Sequence, residues 1–121
     1  MWIKYNPNPL SNRVGDCTIR ALSKVLGQSW DVTFIAVCAY GFVMGNMPSG
    51  NEVWGAYLKR RGFVRRIIEN DLTVEEFCKQ HRRGRYVLAI SGHVVAAIDG
   101  NYYDSFDSGQ ECLVFYWEER R

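Results

Sequence analysis

Asp99-Gly100 separates two runs of β type, His93 to Ile98 and Asn101 to Phe106. An Asp-Gly pair supplies the positive φ that both central positions of a type I′ turn need, and that turn matches the twist of a hairpin. A two-residue loop then fixes the register: Ile98 faces Asn101, Val95 faces Asp104 and His93 faces Phe106. Directly opposed residues share a face, and so do residues two apart. His93 and Asp104 are therefore diagonal neighbours on one side of the hairpin, with Cβ atoms roughly 7 Å apart. Asp107 falls on the opposite face and Asp99 sits in the turn, so Asp104 is the acid expected to orient His93.

The rest of the chain is read around this hairpin. Arg85 to Ser91 is an apolar strand before it, and Cys112 to Trp117 is a final strand. The N-terminal part is helical. Asp16 is the expected N-cap of a first helix with Ile19, Leu22, Val25 and Leu26 at helical spacing, closed by Gly27. A second helix is expected from Asp31 to Tyr40, stopping at Gly41, with a loop over residues 41 to 48. Ser49 with Glu52 reads as a capping box for a third helix, and Thr73 with Glu76 as one for a fourth. Val53, Trp54, Tyr57 and Leu58 form the third helix's core stripe. Helices followed by an antiparallel β-meander make an α+β chain, with an N-terminal helical layer packed on a C-terminal meander.

A chain of 121 residues fits a single domain, residues 1 to 121, with 47% hydrophobic and 23% charged residues excluding wholesale disorder. A net charge of +2 is too mild for a nucleic-acid binder, so no such partner is expected. The basic residues are uneven, however. Lys59, Arg60, Arg61, Arg65 and Arg66 cluster, as do Lys79, Arg82, Arg83 and Arg85. They read as solvated helix ends or as a patch for an acidic protein partner. No run approaches a membrane span, and the first residues lack a signal-peptide core, so a cytoplasmic location is expected.

Four cysteines without CxxC spacing suggest free thiols. Cys17, in the first turn of a helix, has backbone amides and the helix dipole to stabilise a thiolate. Cys38 and Cys78 lie late in helices, where the dipole opposes one, and Cys112 begins a strand. Cys17 is thus the candidate nucleophile for His93 to act on. His81 near Cys78 offers half a metal site without a second half, so neither metal nor cofactor is expected. Met44 and Met47 are candidates for an adaptable lip over a cleft.

The order of these residues carries a resemblance. Gly15-Asp16-Cys17-Thr18-Ile19-Arg20-Ala21-Leu22 resembles the nucleophile helix of papain-like cysteine peptidases, above all the compact bacteriocin-processing domains. Gly92-His93-Val94-Val95-Ala96-Ala97-Ile98-Asp99-Gly100, followed by Tyr102-Tyr103-Asp104, resembles their histidine hairpin and acid. Short proteins of phages and gut bacteria, of predicted papain-like type, are also similar. The resemblance implies a papain-like fold and a thiol hydrolase acting on a peptide, isopeptide or amide bond of a peptide or protein substrate. Cys17, His93 and Asp104 would be its catalytic residues, and the host cytoplasm its location if phage-encoded. Where papain-like enzymes carry an oxyanion glutamine, this chain has Ser11. Asn12 beside it and Asn8 on the proline-stiffened segment are the candidate oxyanion donors. A binding protein on the same fold and a thiol acyltransferase are the alternatives.

Overall fold

The computed structural model describes residues 1–12, 14–68 and 70–120. In chain order the elements are β1 (Trp2–Lys4), α1 (Cys17–Leu26), α2 (Trp30–Met44), α3 (Asn51–Arg60), β2 (Phe63–Ile67) and α4 (Val74–Gln80), then β3 (Arg85–Ile90), β4 (His93–Ile98), β5 (Asn101–Asp104) and β6 (Leu113–Glu119). The strands form one mixed sheet in the order β1-β5-β4-β3-β6-β2. The chain is accordingly a mixture of helices and sheet, as expected, but the C-terminal strands are not a simple meander. β6 crosses back to pair with β3, and β1 joins the other edge parallel to β5.

The hairpin has the expected register. Ile98, Ala97 and Ala96 oppose Asn101, Tyr102 and Tyr103. Asp99 and Gly100 both adopt positive φ, 50° and 85°. Asp99 also accepts a hydrogen bond from the Gly84 N–H at 2.9 Å, which ties the turn to the start of β3.

Alternation along β3 and β4 splits the core in two. Val87, Ala89, Val94 and Ala96 pack with Leu22, Val25, Val53, Trp54 and Leu58 of α1 and α3. Leu88, Ile90, Val95 and Ala97 pack with Val74 and Phe77 of α4. Fully burying an aliphatic or phenyl side chain stabilises by about 1.5–3 kcal/mol, so each face of the sheet has its own source of stability. This too departs from expectation, because the fourth helix lies on the face away from the first three.

Local signals fare unevenly. Thr73 and Glu76 form a reciprocal capping box, with bonds of 3.1 and 3.0 Å. The Ser49–Glu52 box does not form. Gly50 is the N-cap of α3, and Glu52 accepts from the Asn46 carboxamide instead. Gly41 does not stop α2, which continues to Met44 and ends at left-handed Gly45. Gly41 serves close packing: a Cβ there would meet the Asn46 carbonyl oxygen at 2.7 Å. Asp16 precedes α1 but makes no capping bond, for reasons that appear below.

Gly100→Val tests the turn. A β-branched residue resists positive φ, and we expect a loss of about 1–3 kcal/mol of stability, read as a lower urea midpoint at unchanged m-value. An unchanged midpoint would mean that the turn does not fix the hairpin.

Candidate functional site

Cys17 is the first residue of α1, where the first-turn amides have no intrahelical acceptor. His93 is the first residue of β4, delivered by the tight Ser91-Gly92 turn in which Gly92 has φ 67°. Asp104 is the last residue of β5. Cys17 and His93 line the same cleft of about 700 Å³, together with Ser49, Asn51, Ser91 and Phe106. The imidazole Nε2–H of His93 donates to Asp104 Oδ2 at 2.6 Å, and the Cys17 thiol interacts with the same ring. With Nε2 committed to the acid, Nδ1 is the nitrogen left for the sulfur. The ring is held from one side by Phe106, with centroids 5.0 Å apart.

The three residues expected from sequence are thus brought together. The two aspartates nearest Asp104 in sequence are occupied elsewhere. Asp107 accepts from the Tyr102 hydroxyl at 2.6 Å and from the Gly109 N–H, and Asp99 belongs to the turn.

Electrostatics couple the pair. Burial pushes the Cys17 thiol up, but the His93 hydrogen bond, the Val94 N–H and the charges of His93 and Arg20 outweigh it, leaving the thiol below its ordinary value. Burial pulls His93 down, but its bonds to Asp104 and Cys17 raise it to about 9. Both shifts run toward a thiolate beside an imidazolium. Cys78 behaves oppositely, since burial carries its thiol up to about 11. Cys38 is half-buried in α2 and Cys112 is exposed; all four cysteines are free.

Asp104 is only 1% exposed, and its carboxylate is saturated. Beyond His93 it accepts from Ser108 Oγ at 2.8 Å, the Ser105 N–H at 2.8 Å and Arg20 Nη2 at 3.3 Å. Burial raises its pKa, and the bonds from His93 and Ser108 outweigh that and lower it. Arg20 also holds Asp16 Oδ1 at 2.5 Å through Nη1, and Asp16 Oδ2 accepts from the Trp30 indole at 2.8 Å. This is why Asp16 caps nothing: its two oxygens are spent on Arg20 and Trp30. Sequence reading missed Arg20, Trp30 and Ser108. One signal was available, the spacing of Asp16 and Arg20, which puts an ion pair on one helix face.

The expected oxyanion donors are not brought to the cleft. Asn8 spends its carboxamide oxygen on the Leu10 and Asn12 amides, forming a local turn, and neither Asn8 nor Asn12 lines the cleft. A side chain two prolines stiffen in this way braces its own loop rather than reaching α1. Asn51, at the start of α3, does line the cleft; its Oδ1 accepts from the Trp54 indole at 3.2 Å, which leaves its NH₂ group as a donor. The methionine lip is also absent, because neither Met44 nor Met47 lines the cleft. His81 stacks on Phe77 with ring centroids 3.9 Å apart, and among the described residues no three His, Cys, Asp or Glu side chains cluster as a metal site.

No protein-family model matches the chain, nor does any curated protein or any solved structure. No helix among the described residues is long and apolar enough to cross a membrane.

Arg20→Leu tests the buried network. It takes the guanidinium away from two buried carboxylates, Asp16 and Asp104, and we expect a loss of about 3–5 kcal/mol in chemical denaturation. Breaking the exposed Arg66–Glu118 pair by Arg66→Gln should cost no more than about 1 kcal/mol. Similar losses in the two variants would show that the buried pairing contributes no more than a surface one.

Proposed function

We propose that this chain is a papain-like thiol hydrolase that cleaves a peptide, isopeptide or amide bond. The observation that carries the reading is the contact chain from Cys17 through His93 to Asp104 at a cleft wall, with thiol and imidazole shifted toward an ion pair. Cys17 Sγ attacks the carbonyl carbon as thiolate. His93 then gives its proton to the leaving amine, which departs as the thioester forms. Water, deprotonated by the now neutral His93, attacks the thioester; the C–S bond breaks, the carboxylic acid product is released, and the Cys17 thiolate is regenerated beside the His93 imidazolium. Asp104 holds the ring so that Nδ1 faces the sulfur. The Cys17 N–H and the Asn51 carboxamide are the donors we assign to the developing oxyanion. Four free thiols suit a reducing cytoplasm, the setting we assign.

One observation favours a second reading. Asn8 and Asn12 lie away from the cleft, so the oxyanion would rest on the Cys17 N–H and Asn51 alone, and a cleft in which those two do not serve it suits a binding protein on the same fold. Cysteine reactivity separates the two. If Cys17 is the nucleophile, its iodoacetamide alkylation rises with pH below the ordinary thiol value of 9.0, and His93→Ala moves that rise upward. Turnover is then bell-shaped in pH. It rises as Cys17 loses its proton and falls as His93 loses the leaving-group proton near pH 9. A Cys17 that alkylates at one rate with and without His93 removes the hydrolase reading.

Asp104→Ala is expected to lower kcat by about 10²–10⁴-fold, with circular dichroism used to confirm folding, while Asp107→Ala stays near wild type. Equal losses in the two variants would take the orienting role away from Asp104.

A further inference from the structure

The cleft at Cys17 continues past Asn51. Asn51 and Phe115 on its rim also line a groove of about 390 Å³ between α3 and β6, which takes in Lys59, Arg65 and Trp117. Lys59, Arg65 and Trp117 in turn line a hollow of about 540 Å³ that reaches Arg120. Each depression shares residues with the next, so one path leads from the thiol toward the β2 edge of the sheet.

The charge along this path is one-sided. Lys59, Arg65 and Arg120 are exposed cations, and Glu52, already hydrogen-bonded to Asn46, is the one acid among the described lining residues of the two outer hollows. None of the three cations has an ion-pair partner among the described residues. The Arg65 guanidinium lies over the Phe115 ring, 4.2 Å from its centroid. The next residue on the same strand shows the contrast: Arg66 is paired with Glu118 at 2.8 Å. Phe115 and Trp117 are each only 8% exposed, so the floor offers no open ring on which nucleic-acid bases would stack. An extended acidic polypeptide fits the charge and the continuity with the cleft.

The spacing follows from the helix. Lys59 lies about two turns beyond Asn51 on α3, about 12 Å along the axis. An extended chain at about 3.3 Å per residue covers that in about four residues. We propose that this groove binds the flank of a polypeptide substrate and selects acidic side chains about four residues beyond those held at Cys17. The proposal rests on the hydrolase reading and names the substrate class for that site.

The test measures binding apart from cleavage. A Cys17→Ala protein is titrated, by fluorescence anisotropy at low salt, into a fluorescein-labelled alanine–glycine peptide carrying a glutamate run. Glutamine and lysine counterparts serve as comparisons. The glutamate peptide should bind about fivefold to tenfold more tightly than the glutamine one, with the preference shrinking as salt rises. Lys59→Glu with Arg65→Glu should abolish or invert it. Lys59→Glu alone, at the exposed end of α3, should halve it or more with the fold intact. Equal affinity for the three peptides, a preference indifferent to Lys59, or tighter binding of a single-stranded oligonucleotide would each overturn the proposal. Alkylation of Cys17 with and without His93 keeps the two readings apart. Charge-selective binding beside a Cys17 whose alkylation is indifferent to His93 sinks the hydrolase and leaves the groove, whereas a His93-dependent Cys17 without charge-selective binding does the reverse.

Discussion

A buried carboxylate without partners costs several kcal/mol, and the cleft of this protein is arranged around one that is never alone. Asp104 receives four hydrogen bonds, and two of them come from groups that also carry positive charge, Arg20 and protonated His93. Charges in the cluster nearly balance. Asp16 and Asp104 contribute two negatives, and Arg20 and the imidazolium two positives. A thiolate at Cys17 adds one negative, met by the partial positive charge at the start of α1. The same bonds join parts of the chain that are far apart in sequence, because Arg20 and Asp16 sit on or beside α1, Trp30 opens α2 and Asp104 closes β5. Electrostatic satisfaction and tertiary geometry are one constraint here.

That constraint explains what was legible in the sequence. The hairpin is a local object: an Asp-Gly pair and a period of two decide its register, and His93 and Asp104 follow with it. Cys17 was legible because a helix start has a local signature. Arg20 was not, since a guanidinium on an otherwise apolar helix face reads as a surface residue until both its carboxylates are known to converge on it. Asn51 was hidden behind a false capping box, because Ser49 and Glu52 have the spacing but Gly50 takes the cap.

The edges of the sheet were illegible for a related reason. β1 has three residues and pairs with a strand near the far end of the chain, so nothing within its own neighbourhood marks it. β2 carries Arg65 and Arg66 where a half-buried strand would alternate, and only Phe63 is buried. An edge strand is held by its backbone ladder to β6, and its outward side chains are free to serve charge. The basic clustering that looked like a helix end is therefore partly the face of a strand. The long apolar α2 shows the converse. Ile35, Phe42 and Val43 are 68%, 88% and 83% exposed, so hydrophobic composition alone would have buried a helix that lies largely in water.

The pairing of β1 with β5 also sets an order in time. The backbone carbonyl of Asp104 accepts from both the Trp2 indole and the Tyr5 N–H, so the position of the acid is completed by residues made about a hundred residues before it. Those residues leave the ribosome well before β5 and must wait for it before they find their partner, and closing so long a loop is entropically slow. The ten residues of α1 are likewise made before β4 and β5. A nascent chain therefore carries Cys17 with neither His93 nor Asp104 beside it. The imidazole that lowers the pKa of its sulfur reaches it only when the sheet closes.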